Sequence, residues 1–391
     1  MSDLPQFVDH LVIGAGPAGS MAALCLAAAG REVVMLEKEA HPHHKVCGEF
    51  LSREAVAYLK LAGIHPLALG GSVIRKLRLA SGDKVVETQL PFEAISLSRL
   101  ILDEALLRRA EEMGCRIVRG VAVKTLAKSR NEWLASFGNG ECVRAKTVFL
   151  ATGKHNLRGF NRAPARQTDL IGFKQHWQLA PAQIETLRGL MILFLFAGGY
   201  GGISLVESSA ANLCLVVRRS RLRTLGAWPE LLAAILNENS QLRSTLEGAR
   251  PLWPRPLAIS PIPYGYVVAD SRDPWCVGDQ AAVIPSFTGD GISIALHSGA
   301  LAAQTFLAGK RAADYHHLLH RQLRRGLSLA TRLSQAAVTR PGRALALPLL
   351  SLLPGGMQWI AGSTRVPDRF LVSDEGAFRF EEYKRLRATG E

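Results

Sequence analysis

Gly14, Gly16 and Gly19 stand in the run Gly14-Ala15-Gly16-Pro17-Ala18-Gly19, at a spacing that suits contact between backbone and phosphate. Gly14 permits a tight turn. Gly16 has no side chain, so a pyrophosphate can approach the main chain. Gly19 lets a helix pack close to a sheet. A helix opening at Pro17 and Ala18 offers free N–H groups and a partial positive charge to an anion. Glu37 lies eighteen residues past Gly19, where an acid accepts hydrogen bonds from ribose hydroxyls, and Lys38 follows it. These residues predict a dinucleotide site.

A second set lies far down the chain. Pro274-Trp275-Cys276-Val277-Gly278-Asp279 reads as a strand ending in Gly-Asp, and Thr288-Gly289-Asp290-Gly291-Ile292 precedes a helix rich in Ala and Leu. Asp279, beside Gly278, can hold a ribityl hydroxyl. The turn carrying Gly289, Gly291 and Ile292 can face a flavin ring and its phosphates. Together the two sets predict FAD rather than NAD as the resident cofactor. Candidate catalytic groups are Cys47, Glu49 and Asp290. The Cys47 thiol could border a substrate and steer its protonation, or simply pack beside Gly48. Glu49 and Asp290 could serve as acids near the flavin, or cap a helix or turn. His41, His43 and His44 invite a metal reading, but Pro42 breaks any helix there and no partner acid follows. They are expected in a solvated loop, and no metal site is expected. His316, His317 and His320 read as surface residues of a helix.

The elements that must position these groups follow from the apolar pattern. Val8–Ile13 is a short buried strand, Ser20–Ala29 a helix of small residues, and Glu32–Leu36 a second strand ending at Glu37. Arg75–Leu90 reads as a hairpin turning at Ser81-Gly82-Asp83, and Leu97–Gly114 as a helix. Strands follow at Arg116–Val118, Val121–Leu126, Trp133–Phe137 and Thr147–Leu150. Alternating apolar stretches from about 165 to 265 predict an antiparallel sheet, with one helix near Trp228–Glu238. Gly189–Val206 carries no charge for eighteen residues. The glycines of Gly198-Gly199-Tyr200-Gly201-Gly202 make it two buried strands, Leu190–Phe196 and Ile203–Val206, with a turn between, rather than a membrane span.

Composition narrows the class. The chain has 391 residues, 48% of them apolar, enough for a large core. Six scattered cysteines form no CxxC pair or zinc spacing and fit a reducing cytosol. The N-terminus has no signal-peptide core. The formal net charge is +14. Much of the excess sits where no acid occurs between Asp314 and Asp368, a gap that holds Arg321, Arg324, Arg325, Arg332, Arg340, Arg343 and Arg365 among leucines. Two readings stand: a helical cap with solvated arginines, or an interfacial patch gating a greasy tunnel. No motif supports nucleic acid.

The opening motif, the Gly-Asp stretch, Lys45-Val46-Cys47-Gly48-Glu49-Phe50-Leu51-Ser52 and Gly198-Gly199-Tyr200-Gly201-Gly202 resemble the p-hydroxybenzoate-hydroxylase-like flavoprotein superfamily. Within it the chain is most similar to the geranylgeranyl-reductase-like branch, over roughly residues 8 to 310. The resemblance implies that Gly14, Gly16 and Gly19 cradle the pyrophosphate and Glu37 binds the adenosine ribose. It implies that Arg99 reaches the FAD backbone from another side, that the Val123 backbone lies near adenine and that Asp279 holds the ribityl chain. Gly289 to Ile292 would approach the isoalloxazine, with Cys47 and Gly48 on its substrate side. In the family's hydroxylases the strand near residue 150 closes with Asp-Gly. Here Thr152-Gly153 stands there, so NAD(P)H is expected at most as an external reductant. The Trp-x-Trp-x-Ile-Pro signature of flavin halogenases is absent.

The implied fold is α/β plus α+β. A Rossmann-like FAD-binding domain is split along the chain into residues 1–75, 96–165 and 266–310. An antiparallel-sheet substrate domain takes 76–95 and 166–265, and a helical region 311–391. The expected activity is FAD-dependent hydride transfer to or from a carbon–carbon bond of a lipophilic substrate: isoprenoid, polyketide-like or carrier-bound. The alternative is an NAD(P)H-dependent monooxygenase, which shares nearly all the cofactor motifs. An acyl carrier protein or an anionic membrane surface is the expected macromolecular partner, and the expected place is the cytoplasm, peripheral at the membrane.

Overall fold

A computed structural model describes residues 4–371 except 139, 164, 269–272 and 354. The last twenty residues of the predicted C-terminal region lie outside the described part.

The first unit is built on a seven-stranded sheet. Its parallel part runs Arg116–Arg119, Val33–Glu37, Phe7–Ile13, Cys142–Leu150, and Trp275–Cys276 also pairs with the last of these. Val33–Glu37 is buried throughout and Phe7–Ile13 from His10 onward, as parallel strands covered on both faces must be. Glu132–Phe137 and Val123–Ser129 extend the sheet antiparallel. The helix Pro17–Ala28 is buried on every side. It lies against the helix Gly291–Leu307 at a contact that tolerates only small residues. A Cβ on Gly299 would come 2.3 Å from the Ala18 carbonyl oxygen. The chain thus leaves this unit after residue 150 and returns at Trp275.

The second unit is a nine-stranded sheet, ordered Arg250–Pro251, Leu170–Gln178, Ala210–Arg218, Gly199–Leu205, Gly189–Phe196, Ser72–Ser81, Lys84–Ser96 and Phe50–Leu51, with Leu257–Ile259 also paired to Leu170–Gln178. It is antiparallel save for one pair, Gly189–Phe196 with Ser72–Ser81. The glycine run differs from expectation. Its turn is only Ala197-Gly198, and Gly199 to Gly202 belong to the returning strand. Phe194 lies opposite Gly201 and Phe196 opposite Gly199, and each ring lies over its glycine. A Cβ would stand 2.3 Å from the Phe194 ring and 2.4 Å from the Phe196 ring. These glycines make room for aromatic rings.

The C-terminal region is helical where it is described: Ala312–Ala337, Arg340–Leu352 and Gly356–Ser363. Leu319, Leu323 and Leu327 face the core, and Arg321, Arg324, Arg325 and Arg332 face solvent. Among the described residues no single helix is long and apolar enough to cross a membrane. His316 corrects an expectation. It is buried, and its Nε2 accepts from the Cys276 N–H at 3.2 Å.

Candidate active site

A cavity of about 670 Å³ opens along the carboxyl ends of the parallel strands and runs into the second sheet. That is where open α/β sheets bind ligands, beside the strand at which their order reverses. Gly14, Gly16, Pro17, Ala18, Glu37, Lys38, Cys47, Gly48, Arg99, Val123, Thr152, Gly153, Gly278, Asp279, Gly289, Gly291 and Ile292 all line it. Gly19 does not. It packs beneath the turn, where a Cβ would meet the Gly14 carbonyl oxygen at 2.0 Å.

The cradle fits a pyrophosphate. Gly14 has φ +104°, and a Cβ there would strike the Ala151 carbonyl. Glu37 is buried; its Oε2 accepts from the Ala15 N–H at 2.9 Å and its Oε1 from the Glu39 N–H at 3.1 Å. A Cβ on Gly16 would lie 3.5 Å from Arg99 Nη2, so a guanidinium stands over the open turn. Asp103 aims it with bonds of 2.6 and 2.7 Å and also binds Lys45 Nζ at 2.9 Å. Burial works against the Arg99 charge, but Asp103 and the Cys47 sulfur outweigh it. A helix N-terminus with a fixed cation suits a phosphate anion.

The ribityl side of the cradle is clasped by residues that motif spacing passed over. Gln280 Nε2 reaches Thr152 Oγ1 at 2.9 Å, the Gly153 carbonyl at 2.8 Å and the His155 carbonyl at 2.7 Å. Arg162 Nη1 donates to the carbonyls of Gly153 and Asp279 at 2.9 and 2.8 Å. These two side chains join the loop after residue 150 to the Gly-Asp turn. Lys154 Nζ lies 3.1 Å from Asp279 Oδ2. Thr152 is thus part of a hydrogen-bonded buckle, in place of the acid of the hydroxylases.

The candidate catalytic groups separate. Cys47 lines the cavity, its sulfur accepting from the Glu49 N–H at 3.3 Å. Glu49 adopts φ +58°, rare for a residue with a side chain, and is fully buried. Its Oε1 receives Lys174 Nζ and the Arg99 N–H, the latter at 2.7 Å, and its Oε2 pairs with His176 Nε2 at 2.7 Å. Burial pushes this carboxyl up, but His176 and Lys174 outweigh it and hold it below the usual carboxylate range. Both of its oxygens are engaged, which favours the ionised, positioning role of Glu49 over the proton donor the sequence allowed. Asp290 is a second correction. It does not line the cavity. Its carboxylate is buried against Arg365 Nη1 at 2.6 Å and Thr364 Oγ1 at 2.9 Å, from the C-terminal region. Arg365 is accordingly no surface charge.

His44 is a third correction. It packs against Trp253 and His176, with ring centroids 4.7 and 4.9 Å away, and faces the cavity. Burial, then Lys174 and His176, push its pKa down to about 4, so it is neutral. His44, Glu49 and His176 have ligand atoms within 4.8 Å of one another. The Lys174 ammonium already occupies this carboxylate, which makes the cluster an ion-pair network rather than a cation cage. Lys174 and His176 alternate on one strand, Leu170–Gln178. A lysine and a histidine at that spacing on a largely buried strand were the signal that a buried acid meets them.

Comparisons with known proteins agree with this geometry. Residues 8–147 match the FAD binding domain family. Menaquinone reductase of Mycobacterium tuberculosis is 26% identical over 352 residues, covering 83% of each chain. The digeranylgeranylglycerophospholipid reductase of Methanocaldococcus jannaschii is 25% identical over 321 residues, covering 78% of each. In fold, a flavin-dependent brominase matches with a TM-score of 0.73 at 19% identity, covering 97% of this chain and 99% of its own. A probable FAD-dependent monooxygenase from Pseudomonas aeruginosa matches with a TM-score of 0.68 at 17% identity, covering 88% and 100%. The FAD-binding match and these relatives make this an FAD-dependent oxidoreductase, and its fold is similar to that of the p-hydroxybenzoate-hydroxylase-like flavoproteins. The likeness to the geranylgeranyl-reductase-like branch, carried in the sequence by the KVCGE stretch, is borne out by these relatives.

Proposed function

We propose that this protein reduces a carbon–carbon double bond of a long, lipophilic, isoprenoid-type substrate. The observation that carries the reading is the continuity of the cavity. Beyond Cys47 and Gly48 it becomes an apolar chamber walled by Leu77, Leu79, Met191, Leu193, Val216 and Ile259 from the second sheet and by Leu350, Met357 and Ile360 from the C-terminal helices. Such a chamber suits a hydrocarbon chain and excludes water. The sequence relatives with reductase names support the same reading.

FAD, when bound, supplies hydride chemistry. The chain's residues do the rest. Gly14, Gly16, Glu37 and Arg99 would hold the adenine–pyrophosphate half, and Asp279 with the Thr152–Gln280 buckle the other half. The Glu49–Lys174–His176 network fixes the Cys47–Gly48 backbone at the mouth of the chamber. Asn212 Nδ2 steadies it by donating to the Cys47 carbonyl at 3.1 Å. Cys47 is the thiol placed to position the alkene or deliver its proton.

Product analysis under labelled oxygen tests the proposal. A geranylgeranyl lipid, or an isoprenoid quinone analysed after reoxidation of its ring, is expected to gain two hydrogens on its isoprenoid chain and no labelled oxygen, when supplied with reductant. A product carrying the label would replace the reading with the monooxygenase one.

A further inference from the structure

We propose that the helices Arg340–Leu352 and Gly356–Ser363 form a lip that docks on an anionic lipid bilayer and passes substrate from it into the cavity. The inference rests on the lipophilic-substrate reading for what passes the lip, but the docking stands on its own observations. Ala344 to Ser363 carries no charged residue over twenty positions. Of the nine large apolar side chains exposed among the described residues, five fall here: Leu345, Leu349, Leu352, Leu353 and Trp359. Leu345, Leu349 and Leu352 recur at helical spacing, so they share one face of their helix. Leu352 is 76% exposed and Trp359 63%. The opposite face is not spare surface. Leu347 and Met357 are buried, and Leu350, Met357, Ile360 and Ala361 line the cavity. The two helices are therefore a wall with apolar residues on both sides, one toward the chamber and one toward solvent.

Three observations favour a bilayer as the occupant. The flanks are basic: Arg340 opens the first helix exposed, and Arg369 is exposed beyond the second. Asp368, the next acid along the chain, is engaged by Arg53 Nη2 at 2.6 Å, and Glu238, 3.9 Å from Arg343 of the first helix, is engaged by Arg221 Nη2 at 2.8 Å. Basic flanks around an apolar, tryptophan-bearing face suit anionic headgroups over acyl chains. A second copy docking the same face about a two-fold axis would set like-charged flanks toward each other. An acidic carrier protein would meet leucines at the centre of this face rather than the arginines it needs. Continuity with the chamber gives the face its use, because a hydrocarbon chain could move from acyl chains to cavity without crossing water.

Flotation of the FAD-loaded full chain with vesicles tests this. The wild type is expected to float with phosphatidylcholine–phosphatidylglycerol vesicles, less with phosphatidylcholine alone, and less again in high salt. The double variant Leu349→Glu/Leu352→Glu should keep its flavin absorbance and lose about tenfold or more of the bound fraction. Trp359→Ala should lose part of it. A wild type that stays with the pellet, or variants that float equally well, would overturn the proposal. So would a wild-type dimer in sedimentation that the double variant makes monomeric, with no vesicle binding. The readout needs no turnover, so a failure here leaves the reductase reading intact, and a labelled-oxygen product leaves the docking intact.

Discussion

Three residues set what the site can do. Asp279 meets Lys154 at the ribityl side of the cradle, and removing its carboxylate deletes a charge-assisted partner for the cofactor. Asp279→Ala should weaken FAD by one to two decades, from a loss of about 1.5–3 kcal/mol, read by titrating the stripped protein with FAD. Glu49 is different in kind, because its neighbours depend on it. Glu49→Gln leaves the Lys174 ammonium fully buried without its countercharge, at a cost of about 3–5 kcal/mol in unfolding free energy. Glu49→Gln/Lys174→Met should recover much of that in a denaturant melt. Losses that simply add would show the pair to be uncoupled. Cys47 carries the chemistry under test. Cys47→Ala should retain flavin and change turnover or product distribution, whereas unchanged kinetics would leave the thiol a packing group. The Cys214 thiol also lines the cavity, but burial pushes it up to about 12, so it is no rival nucleophile.

At the scale of elements, contiguity decides what can be read from sequence. The opening strand, turn and helix occupy one stretch, and their glycines and acid are each local requirements, so they are legible residue by residue. Gly199 and Gly201 misled for a physical reason. They look like turn glycines, but phenylalanines on the neighbouring strand need their space, and that register appears only when the strands pair. Gly299 drew no notice because nothing near it in sequence reveals the helix it touches. Gly299→Val should lower stability by about 1–3 kcal/mol or more, measured by thermal melting, with little effect on any flavin that binds. The helix Gly291–Leu307 also carries a pH sensitivity. His297 is fully buried, with Tyr58 Oη 2.7 Å from Nδ1 and Gln322 Oε1 2.8 Å from Nε2. Burial pushes its pKa down to about 4, below the ordinary 6.5. The unfolded chain therefore takes up this proton first as pH falls. Stability present above 6.5 is lost progressively toward about pH 4, by up to about 3 kcal/mol. His297→Gln should flatten the fall in melting temperature between pH 7 and 5. An unchanged slope would assign the effect to other groups.

In the whole molecule, the parts that matter most are brought together from far apart. Glu49 meets Lys174 across 125 positions, and Asp290 meets Arg365 across 75. One sequence without relatives can supply a buried acid or cation, but not its partner, so Asp290 read as a possible acid and Arg365 as surface charge. The pair ties the C-terminal helices to the helix that opens beside the flavin site. It makes them a structural wall of the chamber rather than an appendage. Arg365→Leu would strand the Asp290 carboxylate beside Thr364. Burial already pushes the Asp290 carboxyl up, so it would take a proton; the variant should destabilise the chain by about 1–3 kcal/mol and loosen the C-terminal helices to proteolysis before the sheets. In the proposed function, the cradle and the apolar chamber act together on an alkene. The most direct measurement is an anaerobic single turnover. The FAD-loaded protein is reduced with dithionite, freed of excess reductant and mixed with a geranylgeranyl lipid, which has no quinone ring to accept the electrons. The account predicts that the yellow absorbance returns without oxygen, with one saturated bond in the product per flavin. Absorbance that stays bleached until oxygen is admitted, then returns with an oxygenated product, would contradict it.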